Sequence, residues 1–219
     1  MADPTTSGRF PLAEPGLWVE QVGSRVFAAG SPALFLDRDG TINVDTGYPD
    51  DPAEMVLRAD IAAVIAAANR AGIPVIIVTN QSGIARGYFG WGDFAAVNGR
   101  VLELLRVDNA FVDMVVACAY HEAGSGVLAA ADHPMRKPNP GMLLEAARRL
   151  RLDLRRSLIV GDKKADMEAG QRAGLSQGWL VDGQAAVRSG FTIRPWCERA
   201  DFDGLLAAIA ALGTASGAP

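Results

Sequence analysis

A chain of 219 residues that is 49% hydrophobic and 21% charged suits one globular domain of α/β size, with room for a sizeable core. Its formal net charge of −4 argues against a protein built to bind nucleic-acid backbones, which needs a basic face, so any phosphate it handles must be met locally. Two cysteines far apart in sequence, Cys118 and Cys197, make no disulfide framework and point to a reducing, cytoplasmic setting.

No apolar stretch approaches the roughly 20 residues needed to cross a membrane. The first thirty residues lack the basic start and apolar run of a signal peptide. With Pro4, Pro11 and Pro15 they are read as an N-terminal extension, 1–30, in which 17–22 either adds an edge strand or lies on the surface. The main domain is expected over 31–213, with a disordered tail at 214–219.

Residues 33–36, A-L-F-L, are too few for a helix and read as a short buried strand between Pro32 and a turn signal. The strand delivers Asp37 to its C-terminal end, followed by Asp39, Gly40 and Thr41. Two carboxylates two residues apart repel unless a cation or a proton lies between them, so a metal-dependent site is the natural reading. An ordinary D-G turn with exposed acids is the plain alternative. A helix follows, with Ile61, Val64, Ile65 and Ala68 at helical spacing and Gly72 as C-cap.

The apolar run 74–78 is a second strand, doubly buried in character and hence parallel. It exits into Thr79, Asn80, Gln81, Ser82 and Gly83, whose hydroxyl, amide and backbone donors can cradle a phosphate. A glycine-rich loop carrying Arg86 leads to a helix over 94–105; Phe89 and Trp91 beside it are read as packing residues. A third strand at 112–119 opens into a loop long enough to suggest function. That loop closes on Arg136, Lys137 and Pro138, and Asn139 before Pro140 reads as the cap of a helix over 142–150. Exposed Lys-Arg pairs are usually only solvated charge, but Lys137 precedes a helix N-terminus, where phosphate is also welcome.

A fourth strand at 157–160 runs into G-D-K-K-A-D. There Asp162 and Asp166 fall one helical turn apart on one side, although acids in a first helical turn are common without any site. Gly174 caps that helix, 179–181 is a fifth strand, and Asp201 caps a last helix over 202–212. Strand–helix alternation predicts an α/β fold, a three-layer doubly wound parallel sheet.

The stretches D-R-D-G-T, Thr79, R-K-P and G-D-x-x-x-D, at four successive strand exits over about 33–181, resemble the four motifs of the haloacid dehalogenase superfamily. The second acid of D-R-D-G-T is the pattern of its phosphatases. The resemblance implies Asp37 as nucleophile, Asp39 as acid and base, and Mg²⁺ held by Asp37, the Asp39 backbone carbonyl and Asp162. Asp166 acts through a bound water, and Thr79, Asn80, Arg136, Lys137 and Lys163 hold phosphate and substrate.

The short span between the first two motifs implies no large cap domain. Within the superfamily, L-D-R-D-G-T-I-N, V-T-N-Q-S-G-I-A-R-G and R-K-P-N-P-G-M look like the heptose bisphosphate phosphatases. The histidinol-phosphate phosphatases are the runner-up and a non-catalytic binding module the remaining alternative. The resemblance thus implies a phosphomonoesterase acting on a small sugar phosphate. The charge and the lack of an apolar span argue for no nucleic-acid or membrane partner, and a monomer is the favoured state.

Related phosphatases clamp the long loop with a Cys/His zinc site, but here only a degenerate set remains, Cys118, His121 and His133, with Tyr120 and Met135 at ligand positions. Methionine is a poor zinc ligand and a structural site wants four good donors. The loop is therefore expected to be held by packing of Tyr120, Val127 and Leu128, or to be mobile until substrate arrives, rather than by structural zinc.

Overall fold

The computed structural model describes residues 9–214. In chain order these form strands β1 (Leu12–Glu14), β2 (Leu17–Gln21) and β3 (Leu34–Leu36), helix α1 (Ile61–Arg70), strand β4 (Val75–Asn80), helices α2 (Ser82–Ala85) and α3 (Trp91–Val107), and strand β5 (Met114–Cys118). Helix α4 (Gly141–Leu150), β6 (Leu158–Gly161), α5 (Lys164–Ala173), β7 (Gln177–Val181), β8 (Ala186–Arg188), β9 (Phe191–Trp196) and α6 (Arg199–Thr214) complete the described chain. No helix among the described residues is long and apolar enough to cross a membrane.

The strands make one sheet in the order β1-β2-β5-β4-β3-β6-β7-β9-β8. Strands β5, β4, β3, β6, β7 and β9 run parallel, and the continuous buried apolar runs of β5, β4, β3 and β6 fit a sheet covered on both faces. Strand β4 contacts both α1 and α4, while α1 packs on α6 and α4 on α5, so helices cover the two faces. Leu34, Phe35 and Leu36 of β3 are fully buried. From β3 the chain winds through β4 to β5 and then returns to β6 on the other side of β3, which makes the carboxyl end of β3 the switch point where ligands bind in such sheets.

The sheet departs from pure parallel at both ends. Residues 17–22, expected at an edge or on the surface, instead supply β2, paired antiparallel along the whole of β5, and β1 lies outside it. Leu17, Trp18 and Val19 are buried, and Trp18 packs on Trp91 and Phe94 with ring centroids 5.7 and 5.1 Å apart. The strands at 12–14 and 17–21 of the expected extension therefore belong to the same sheet. At the other end the chain adds the hairpin β8–β9, in a stretch where no element was expected, with Pro195 inside β9. Its signal is Ser189-Gly190, both at positive φ, a two-residue turn between the strands.

Three helix starts also differ from expectation, the first being α3, which begins at Trp91 rather than at 94 with Gly90 before it. Helix α4 begins after Pro140, while the Asn139 amide donates to Asp132 Oδ1 (2.7 Å) and the His133 carbonyl (3.1 Å), tying down the loop before it. Helix α6 begins at Arg199, two residues before Asp201, whose carboxylate accepts from the backbone N–H of Cys197 (3.0 Å) and Glu198 (3.1 Å) and so caps from inside the first turn. Thr214 ends α6, and the rest of the expected tail, 215–219, lies outside the described residues.

Candidate active site

The four polar exits of β3, β4, β6 and the loop before α4 converge on one cleft of about 260 Å³. Asp37 lies at the mouth of β3, 5% exposed. One oxygen accepts from the Arg38 backbone N–H (2.8 Å) and pairs with Lys137 Nζ at 2.9 Å. Burial raises its pKa to about 6 against the pull of Lys137, with the Asp166 charge adding to the rise. Lys137 is buried too, and its three N–H groups go to Asp37, to Asp166 Oδ1 (2.6 Å) and to the Val78 carbonyl (2.7 Å). Burial disfavours the ammonium, but the two carboxylates outweigh it and hold the pKa above the ordinary lysine value.

Asp162, leaving β6, has its pKa raised by burial and by the charge of Asp37, and its buried Oδ1 has no hydrogen-bond partner. Asp37, Asp162 and Asp166 each bring one oxygen within 4.8 Å of the others, the only such cluster of His, Cys, Asp and Glu among the described residues. A buried carboxylate oxygen left unpaired, among hard oxygen donors, suits Mg²⁺ or another hard divalent cation. Gly40 makes this approach possible: it sits at φ +86°, and a Cβ there would collide with the Asp162 carboxylate.

Asp39 projects from the same turn, but its carboxylate faces different partners. Arg38 donates Nε to Oδ1 (3.0 Å) and Nη2 to Oδ2 (2.8 Å), Asn43 Nδ2 donates to Oδ1 (3.1 Å), and Gln81 Nε2 donates to Oδ2 (2.9 Å). Burial pushes this carboxyl upward, yet the Arg38 charge and these donors win and hold it below the usual carboxylate range. The Asp39 side chain is thus not the third member of the acidic cluster; Asp166 is.

Several predicted residues sit in the cleft with different partners from those expected. Thr79, buried, lines it and accepts from Gln81 Nε2 at 2.8 Å. The Asn80 side chain, expected on phosphate, spends both ends on Lys137: Oδ1 accepts from its backbone N–H (3.1 Å) and Nδ2 donates to its carbonyl (3.0 Å). Asn80 therefore holds the lysine's backbone.

Asp166, expected to work through water, bonds Lys137 directly and accepts the Lys163 N–H at the start of α5 (2.9 Å). Lys163 Nζ reaches Asp45 (3.3 Å) and Asp162 (3.5 Å) at the rim, and those charges with that of Asp37 raise its pKa over the opposing effect of burial. Arg136 is half-buried, donates to the Tyr120 carbonyl (3.2 Å) and lines the cleft.

Trp91 is a packing residue, its indole N–H given to the Pro15 carbonyl at 3.0 Å, whereas Phe89, also buried, lines the cleft wall. Three cleft-side residues were not read from sequence, Arg38, Asp45 and Tyr48, while Gln81, read as a phosphate donor, gives its amide to Asp39 and Thr79. The Tyr48 hydroxyl accepts from Arg86 (2.9 Å) and its ring meets Tyr88 edge-on at 4.8 Å, so the loop after β3 spans the mouth from Lys163 to Arg86. An aromatic between Gly47 and Pro49 was the available signal.

In the long loop, Cys118, His121 and His133 form no cluster of ligand atoms. His121 Nδ1 accepts from the Ala123 N–H (3.0 Å) and His133 Nδ1 from that of Met135 (3.3 Å). Tyr120 stacks on His133 at 3.8 Å and lies against Gly16, where a Cβ would come within 2.6 Å of the ring. Leu128 is buried as expected, but Val127 is 66% exposed, because the short 3-10 turn Gly126–Leu128 turns it outward. The turn between β1 and β2 thus braces the loop that carries Arg136.

A family model for haloacid dehalogenase-like hydrolases matches residues 20–174. The chain belongs to that family. The hydrolase is 70% identical over 97% of its length, and 98% of the relative's, to the D-glycero-beta-D-manno-heptose-1,7-bisphosphate 7-phosphatase of Mesorhizobium japonicum. It is 36% identical to the enzyme of the same name in Escherichia coli K12, over 79% of this chain and 87% of that one. Among solved structures, a Mesorhizobium loti protein assigned as a HAD-like phosphatase superposes with TM-score 0.92 at 72% identity, covering 93% of this chain and 98% of that one. The D,D-heptose 1,7-bisphosphate phosphatase of B. bronchiseptica, complexed with magnesium and phosphate, superposes with TM-score 0.65 at 28% identity, covering 85% and 99%.

Proposed function

We propose that this hydrolase removes the 7-phosphate of D-glycero-β-D-manno-heptose 1,7-bisphosphate through a phosphorylated Asp37. The observation that carries the reading is the buried carboxylate of Asp37 at the switch point of the sheet, paired with Lys137 and gathered with Asp162 and Asp166. The substrate rests on the 70% identity to the phosphatase of that name.

Asp37 attacks phosphorus, and the bond from phosphorus to the sugar oxygen breaks as Asp39 gives that oxygen a proton. A phosphate dianion arriving beside Asp39 raises its proton affinity, opposing Arg38, so substrate binding itself readies the acid. Asp39 then takes a proton from the water that releases phosphate from Asp37. Lys137 and Thr79 face the transferring group and offset its charge. Asp37, Asp162 and the Asp39 backbone carbonyl would hold Mg²⁺, with Asp166 beside them, and the ion would supply the positive charge that lets a carboxylate approach a phosphate dianion.

The expected result on heptose 1,7-bisphosphate, followed by phosphorus NMR, is loss of the primary 7-phosphate with the 1-phosphate retained. Arg136, which lines the cleft, and the loop through Arg86 would hold the rest of the sugar. Loss of the 1-phosphate first, or an equal kcat/KM on histidinol phosphate, would overturn the substrate. Magnesium binding is expected to depend on pH, because a protonated carboxyl is no ligand and binding must expel its proton. With Asp37 near 6, affinity measured by calorimetry should be about tenfold weaker at pH 5 than at pH 7.5. Equal affinities would place the ion away from Asp37, and activity surviving EDTA would remove it from the reaction.

The same reading makes 31–213 the catalytic domain, braced by the preceding strands, and takes the enzyme to act as a cytoplasmic monomer on a small sugar phosphate, without nucleic-acid or membrane partners. The acidic net charge and the two unpaired cysteines support it.

A further inference from the structure

Each of the two reacting carboxylates in the cleft has a cationic partner of its own. Lys137 serves Asp37. Asp39 is served by Arg38, which is fully buried, lies with its guanidinium carbon 5.2 Å from the Phe94 ring centroid, and leaves Nη1 without a partner. An unpaired buried donor costs free energy, so packing alone gives no reason for an arginine here. The fork it presents to Asp39, at 3.0 and 2.8 Å, does give one: two parallel N–H groups fix the plane of a carboxylate, which a single donor cannot do.

With Asn43 and Gln81 added, Asp39 accepts four N–H groups, about the full capacity of an ionised carboxylate. To exchange a proton it must release one of them. The Gln81 donor carries no charge, and its Nε2 is already shared with Thr79 Oγ1 at 2.8 Å. Gln81 and Asp39 both line the cleft, whereas Arg38 lies beneath it. An uncharged amide holds a carboxylate less strongly than a guanidinium fork does, and of the two amides Asn43 is fully buried outside the cleft lining while Gln81 lines it, so Gln81 is the contact that yields.

We propose that Arg38 is the positioning residue for Asp39: its buried fork holds the carboxylate while the leaving oxygen displaces Gln81 from Oδ2 and takes the proton there. The proposal rests on the reading of Asp39 as proton donor. As the bond between phosphorus and the leaving oxygen breaks and that to Asp37 forms, the proton moves from Asp39 to the leaving oxygen, and charge balances without any further reactant.

The test uses leaving groups. The ratio kcat/KM covers the steps through phosphoryl transfer to Asp37. A sugar oxygen needs a proton to leave, and p-nitrophenolate does not. In Arg38→Met, kcat/KM on heptose bisphosphate is expected to fall about 100-fold, the scale of lost general-acid help. On p-nitrophenyl phosphate, and across aryl phosphates of graded acidity, the fall should shrink to within about threefold as the leaving group becomes more acidic.

Arg38→Lys keeps the buried charge but not the fork, and should show the same selective loss. Should neither Arg38 variant fold by near-UV circular dichroism, Asn43→Ala, which removes one donor from Oδ1, is expected to show a smaller selective loss. Equal losses on sugar and aryl phosphates in the variants that fold would overturn the positioning role. Failure of the wild-type enzyme to release phosphate from any ester would instead sink the function proposed above.

Discussion

Asp37→Asn is expected to lower kcat for phosphate release by a factor of about 10⁴ or more, the scale seen when an enzyme loses its nucleophile. An amide attacks phosphorus poorly and supplies no anionic ligand to a cation. The fold should survive. Burial raises the pKa of Asp37 to about 6, above its ordinary 3.8, so the native state binds the proton more tightly than the unfolded chain does. Ionisation of Asp37 therefore opposes folding as pH rises from about 3.8 to about 6, a cost fully present above that window. A neutral amide removes the cost, and Lys137 keeps Asp166 as partner. The melting temperature of the variant at pH 7.5 should thus equal or exceed that of wild type. Activity within tenfold of wild type would refute the assignment of the nucleophile, and a collapse in melting temperature would show that Asp37 was structural.

Lys137→Met carries the second large effect, and it should act on stability and activity together. The substitution leaves two buried carboxylates, Asp37 and Asp166, facing each other without the ammonium that lies 2.9 and 2.6 Å from them. Breaking a buried pair by removing one partner costs about 3–5 kcal/mol. For a chain of this size each kcal/mol lowers the melting temperature by about 2–4 °C, so calorimetry should record a fall of about 6–20 °C on these scales.

The double variant Lys137→Met with Asp166→Asn should recover part of the stability and none of the activity, because it removes the repulsion without restoring charge on the phosphoryl group. Lys137→Arg is not expected to substitute, since the planar fork cannot place three donors on Asp37, Asp166 and the Val78 carbonyl at once. A melting temperature unchanged within 2 °C, or activity within tenfold, would show that the ammonium is dispensable.

What the amino-acid sequence determined by itself is the chemistry at each strand exit. Short apolar runs bounded by glycine, proline and polar residues specify strands locally, and the residue after a strand is carried to its carboxyl end whatever the rest of the chain does. Asp37, Asp39, Thr79 and Asp162 were legible for that reason, as was a doubly wound parallel sheet, whereas Lys137, in the loop before α4, was legible from its motif and the helix start after it. Gly174, in the left-handed conformation where a C-cap requires it, was legible from its position after a helical period.

Only the tertiary structure decided which group pairs with which. Asp37 and Asp39 are two residues apart, yet one faces Lys137 and the other Arg38. That choice depends on which cavity each side chain enters and which charges are already desolvated there. The same holds for Asn80, whose amide is taken by the backbone of Lys137, 57 residues away. It holds also for β2, too short to declare its neighbour until the buried face of β5 supplied one. Local propensity acts over a few residues and is written in them; pairing free energy depends on burial, and burial exists only once distant segments have met.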